Sequence, residues 1–312
     1  MSTIDRTQGV RHETVKSDQE GQRVDNWLSN RLKGVPRSLI YRMIRTGQVR
    51  IDGKRCKPSS RLQAGDSVRI PPVRLSTREE AVISERVIVQ VRDRILFADD
   101  DLLVIDKPAG MAVHAGSGLP WGLIDVVRRL YRDEFVELVH RLDRDTSGCL
   151  VLARNGTALN HLSTRFRESR VDKRYLCLLH GELPQRQVEV DAPLLRVEGS
   201  GKARIVVVSP EGKPAKTRFR LLKAWPAASY VEAELLSGRT HQIRVHAQHL
   251  GTPLAGDRRY SERVSQRFWR KQGLSRLFLH AHSLEFEDGA RRVRTFHAPL
   301  PGGLRAVLDG LD

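Results

Sequence analysis

The sequence predicts an α+β protein in two parts: a small module of two helices and a hairpin, then a larger domain on a mixed, mainly antiparallel sheet with flanking helices. Three observations carry this. Val24, Trp27, Leu28 and Leu32 share one helical face, and Leu39, Ile40, Met43 and Ile44 share another. Beyond residue 95, short apolar runs alternate with helical patterns, without the regular βαβ period of a parallel sheet. A length of 312 residues leaves room for one small and one large domain.

The elements follow in chain order. Residues 1–20 read as a polar tail without an apolar signal segment. The module spans 21–74. Gly34-Val35-Pro36 separates its helices, Ser38 can cap the second, and Gly47 ends it. "VRIDGKRC" alternates around Asp52-Gly53, a tight hairpin signal, and "AGDSVRIPP" adds a turn and a short strand stopped by two prolines. A charged stretch, 75–94, reads as a linker, and the second domain as 95–312. Its strands are expected near 95–97, 102–105, 149–153, 175–179, 205–208, 230–236 and 277–284. Helices are expected near 124–131, 157–168 and 240–248.

Charge narrows the function. The net charge is +17, from 54 Lys+Arg against 37 Asp+Glu, and so large a surplus points to a polyanionic partner, nucleic acid first. Cys56, Cys149 and Cys177 lack CxxC spacing, which argues against a disulfide framework or zinc ribbon and suits the cytoplasm. No run approaches the roughly 20 apolar residues of a membrane span. Phosphate-loop, dinucleotide, nucleophile-elbow and HExxH motifs are missing. His241, His246 and His249 do not share one helical face, so no metal site is expected, and Asp99-Asp100-Asp101 reads as a solvated turn.

Three segments carry more chemistry than their turns require. "VHRLDRDTSG", residues 139–148, brings Arg141, Asp143, Arg144 and Asp145 to the mouth of a core between two apolar runs. Lys173-Arg174-Tyr175 opens a strand, and "LLSGRTHQIRVH", residues 235–246, breaks a strand at Gly238 and places Arg239 at the break. A carboxylate beside arginines is held ionised, whereas partial burial keeps it reactive. It can serve as nucleophile toward a sugar's anomeric carbon. From this chemistry alone, Asp143 and Asp145 are equally eligible.

The quoted motifs resemble known families. "GQRVDNWL", "SLIYRMIRTGQVRIDGKR" and "LQAGDSVRIP" are similar to the αL-type RNA-binding module, which implies phosphate contacts from Arg37, Arg42 and Arg45. "HRLDRDTSG" resembles the signature of the RluA-type pseudouridine synthases, and "DKPAGMAVH", "KRYLCLLHG" and "GRTHQIRVH" stand at that family's other motif positions, in order. One departure is Asp106, where Asn is common. The resemblance implies that Asp143 is the catalytic aspartate, that Arg239 orients and ionises it, and that Tyr175 packs on the target uracil. Arg141 would fill the gap left by the flipped uridine, with Arg144 and Lys173 as further RNA contacts. It also implies isomerisation of uridines in large-subunit ribosomal RNA by a cytoplasmic monomer, without cofactor, metal or membrane. The competing expectation is a non-catalytic RNA-binding ribosome-assembly factor.

Overall fold

The computed structural model describes residues 9–32, 35, 37–73, 82–116, 119–132, 134–199 and 204–312. It divides into two units, Met1–Val82 and Ile83–Asp312.

The first unit contains β1 (Arg11–Thr14), α1 (Val24–Arg31), α2 (Arg37–Arg45), β2 (Arg50–Ile51), β3 (Lys54–Arg55) and β4 (Ser67–Ile70). Its antiparallel sheet has the order β1-β4-β2-β3. The two helical stripes close over that sheet, burying Trp27, Leu28, Ile40 and Ile44 with Val68 and Ile70. Each such side chain contributes about 1.5–3 kcal/mol on burial, so the module has a core of its own. Asp52 and Gly53 both take positive φ, 47° and 72°, as the hairpin signal requires. Residues 1–20 are not wholly a tail: β1 lies inside them and pairs along β4 from Arg11–Ile70 to Thr14–Ser67. Arg42 and Arg45 are exposed on α2. The side chain of Arg37, residues 34 and 36 of the predicted turn, and residues 74–81 lie outside the described set.

The second unit runs α3 (Glu85–Arg92), β5 (Ile95–Ala98), β6 (Leu102–Lys107), α4 (Leu123–Leu130), β7 (Glu137–Leu138), β8 (Ser147–Ala153), α5 (Gly156–Arg167), β9 (Asp172–His180), β10 (Gln187–Asp191), β11 (Leu194–Glu198), β12 (Arg204–Val208), β13 (Lys216–Trp225), β14 (Ala228–Leu235), α6 (Gln242–His249), α7 (Arg263–Lys271), β15 (Leu279–Glu287), β16 (Val293–His297) and α8 (Gly302–Asp309). α3 corrects the linker reading of 75–94: Ile88 and Val91 bury against Ile83 and the core under the sheet. Only two of its eight residues are buried, too few for a clear helical period in the sequence. Among the described residues, no helix is long and apolar enough to cross a membrane.

The main sheet has the order β10-β13-β14-β9-β15-β8-β6-β5, with β16 on β15 and β7 on β8. Among the described strands its pairings are antiparallel except β15 with β8, where His280 faces Ser147 and Ala281 faces Gly148. Gly148 holds φ +113°, and a Cβ there would lie 2.2 Å from the Ala281 carbonyl oxygen. Only glycine lets the two strands close at this point. The segment leading into β8 therefore enters the middle of the sheet.

Candidate active site

Residues 139–146 reach that junction and are fastened from both sides. Lys107, wholly buried at the end of β6, donates from Nζ to the carbonyls of Pro108 (2.9 Å), Met111 (2.8 Å) and Arg144 (3.1 Å). Burial, with Arg276 nearby, pulls this lysine down to about 7, yet three carbonyl acceptors match the three N–H groups of an ammonium and favour its charged form. Arg144 also donates from Nε to the Gly110 carbonyl and accepts the Gly110 N–H. On the far side, Arg276 donates to Ser147 Oγ at 2.8 Å, and Ser147 Oγ lies 2.9 Å from His280 Nδ1. Burial drives His280 to about 4, leaving Nε2–H to donate to the Ala298 carbonyl. His140 stacks on Phe166 with ring centroids 4.3 Å apart, and its Nε2 accepts the Val151 N–H. Burial and then Lys173 push it to about 3, so it too is neutral.

The segment forms one wall of a cavity of about 380 Å³. Asp143, Arg141, Tyr175, Lys173 and Arg239 all line it; Asp145 and Arg144 are not among its lining residues. The structure thereby separates the two aspartates that the sequence chemistry left level. Tyr175 sits on β9 between Ala233 of β14 and Ala281 of β15, so no bulky cross-strand partner crowds its ring. Burial, and then the charge of Asp143, push its phenol well above the ordinary range, which keeps it protonated. Lys173 is buried in the cavity wall. Arg141 is exposed at the rim.

The expected Asp143–Arg239 pair is not formed. Arg239 Nε donates instead to the Pro214 carbonyl at 3.0 Å, and the groups facing Asp143 are His241 and Arg244. His241 Nε2 lies 3.8 Å from Asp143 Oδ2. Arg244 makes a bidentate pair with buried Asp257, at 2.7 and 2.8 Å, and its guanidinium lies over the Tyr260 ring. Burial opposes its charge, but Asp257 and then Asp143 raise its pKa. Asp257 also accepts the N–H groups of Arg259 and Tyr260, and these bonds with Arg244 overcome burial to hold its carboxyl below the usual range. A guanidinium so fastened is a fixed positive charge that acts on Asp143, as does that of Lys107. Arg244 lies in "GRTHQIRVH", five positions beyond Arg239, so the motif marked it although the residue chosen from the break was the other arginine. Asp257 carried no signal. His246 binds Thr217 Oγ1 and the Ala192 carbonyl, a buried structural role.

Known proteins resemble this chain along nearly its whole length. The RNA pseudouridylate synthase family model matches residues 101–249, and the S4 domain model matches residues 22–68. The chain is 46% identical to "Ribosomal large subunit pseudouridine synthase C" of Pasteurella multocida over 308 residues, covering 97% of this chain and 94% of that protein. It is 46% identical to the Escherichia coli strain K12 protein of the same name over 311 residues, covering 98% of each. Among solved structures, the human RNA pseudouridylate synthase domain containing 4 superposes with a TM-score of 0.61 at 27% identity, covering 72% of this chain and 95% of that one.

Proposed function

The chain belongs to the RNA pseudouridylate synthase family, and from that premise we propose that it isomerises uridines to pseudouridine in large-subunit ribosomal RNA, with Asp143 as the reacting carboxylate. The protein works as a monomer in the cytoplasm. Its domains are an S4-type RNA-binding module, whose sheet includes β1, and a catalytic domain that begins with α3 rather than at residue 95. The observation that carries the reading is Asp143 in the wall of a cavity shared with Tyr175 and with an arginine held by a buried carboxylate.

The target uridine leaves its stack and enters the cavity, at a cost of about a few kcal/mol. Phosphate contacts from the basic surface offset that cost, Arg42 and Arg45 among them, with Arg37 and Arg144 in the same role. Arg141, at the rim, fills the space the uridine vacates, and Arg239 and Lys173 meet the backbone of the extruded nucleotide. The nitrogen–carbon glycosidic bond then breaks, the uracil turns while the Tyr175 ring holds its face, and a carbon–carbon bond forms through the fifth ring carbon. The proton on that carbon is lost and one is gained by the freed ring nitrogen, so atoms and electrons balance. Arg244 orients Asp143 by its fixed charge, a part the resemblance assigned to Arg239. Tyr175 acts as a ring and a hydroxyl, because its protonated form is favoured.

An Asp143→Asn variant tests this. Binding to large-subunit ribosomal RNA should stay within a few-fold of wild type, while nucleoside chromatography should find no pseudouridine. Unchanged pseudouridine formation would remove Asp143 from the chemistry. Free uracil among the wild-type products would replace isomerisation by hydrolysis. No product from the wild type, with tight binding, would leave an RNA-binding assembly factor.

A further inference from the structure

His241 stands out on three counts. It is a non-glycine residue at φ +56° and ψ 18°, immediately before α6, a left-handed backbone that few non-glycine residues adopt. Its side chain lines the cavity, and its Nε2 lies 3.8 Å from Asp143 Oδ2. Its other ring nitrogen, Nδ1, lies 2.7 Å from the Tyr260 hydroxyl. Strain held in place by a specific side-chain bond beside a reacting group is a signal of function rather than of packing.

Hydrogen-bond satisfaction fixes the tautomer. The Tyr260 oxygen already accepts the Val206 N–H at 3.0 Å and has one proton of its own to place. If Nδ1 carried the imidazole proton, that oxygen would accept twice and its own proton would have no acceptor among the bonds described. With Tyr260 donating to Nδ1, the hydroxyl proton is placed, and the imidazole proton sits on Nε2, so that an N–H rather than a nitrogen lone pair faces the Asp143 carboxylate. We propose that His241 is a positioning residue for the isomerisation: a neutral imidazole, locked by Tyr260 with its proton on Nε2, which directs that N–H at the Asp143 carboxylate. The proposal rests on Asp143 being the reacting group.

The surroundings keep the ring neutral. Burial depresses its pKa to about 4; Arg244 and Arg259 push it the same way, and Asp143 and Asp257 only partly oppose them. Neutrality suits the task. A cationic imidazole would pair with the carboxylate and blunt it, whereas a neutral N–H orients one oxygen and leaves the charge to react. The 3.8 Å separation is longer than a hydrogen bond, so Oδ2 must close by about 0.9 Å, the kind of tightening that catalytic contacts undergo when substrate fills a site.

Two substitutions separate positioning from a backbone role. Gln at 241 places an amide N–H where His241 Nε2 stands but suits a left-handed backbone poorly. Asn suits that backbone well and can still meet Tyr260, yet is too short to reach Asp143. With unmodified large-subunit ribosomal RNA as substrate, His241→Gln should keep kcat within about five-fold of wild type. His241→Asn should lose on the order of 30-fold in kcat with KM nearly unchanged. Tyr260→Phe should lose an intermediate amount, and 15N spectra of labelled protein should show the His241 ring passing from one tautomer to a mixture. The reverse ranking, Asn above Gln, or a wild-type spectrum with the proton on Nδ1, overturns the proposal. Asp143→Asn run alongside shows separately whether the carboxylate itself matters.

Discussion

The two units use positive charge in opposite ways. On the N-terminal module, Arg42 and Arg45 project from α2 into solvent and make no ion pair among the described residues. In the catalytic unit, the cations that support the Asp143 segment and the α6 wall are fastened: Arg244 to Asp257, Lys107 to three carbonyls, and Arg276 to Ser147 and the Leu279 carbonyl. An exposed arginine can follow whatever phosphate arrives, and its worth falls with salt. A buried one has surrendered its freedom beforehand and contributes geometry. One unit is suited to grip and the other to placement.

The contrast can be broken at its strongest point first. Arg244→Met leaves Asp257 buried without its partner, which should cost about 3–5 kcal/mol in denaturant unfolding of the second unit and abolish measurable turnover. If turnover survives, Arg244 is not the charge that serves Asp143. Gly148→Ala comes next. A methyl 2.2 Å from the Ala281 carbonyl, on a backbone at φ +113°, should cost about 2–4 kcal/mol and lower kcat by shifting the segment that bears Asp143. RNA binding should survive, because the module folds around a separate core.

Acid should reveal a third difference. The pKa of His280 is near 4 in the fold, below the unfolded value near 6.5, so the unfolded chain binds the proton first. The stability it lends is complete above pH 6.5, falls as pH drops through 6.5 toward 4, and is about 2 kcal/mol lower by pH 5. Denaturant midpoints across that range should fall less in a His280→Gln variant, by about 2 kcal/mol at pH 5, while buried His140 and His241 make both proteins weaken as the pH drops. The smallest effect belongs to the module. Arg42→Gln with Arg45→Gln should leave stability within about 0.5 kcal/mol and kcat unchanged, while the slope of log K against log salt shrinks by about 1.5. An unchanged slope would show that α2 does not face the RNA.

Much of this was legible beforehand. The helical stripes of the module are local patterns, and Trp27 and Ile40 fell in its core as their spacing requires. β6 and β8 showed as apolar runs because they are buried along their whole length. β13 did not show: it carries Lys216, Arg218 and Arg220 on a face laced by ion pairs to Glu189, Glu232 and Glu234, so its alternation looked like a charged loop. α7 and its basic outer face were missed for the same reason, since Trp269 and Ser265 alone are buried there. β1 was hidden because a four-residue edge strand of polar residues has no period to read.

By itself, the sequence determined the fold class, the two cores and the three segments that meet at the cavity, because residue type and spacing encode burial and turn chemistry locally. Residue chemistry left two aspartates level and the motif resemblance named Asp143; the tertiary structure lines the cavity with Asp143 and not Asp145, and it alone decided which arginine acts on it. That choice hangs on the backbone angles at His241, which aim Arg244 inward, and on Asp257, which arrives from beyond the helix to hold it. A side chain's direction depends on the path of the chain and on partners distant along it, and neither leaves a periodic mark.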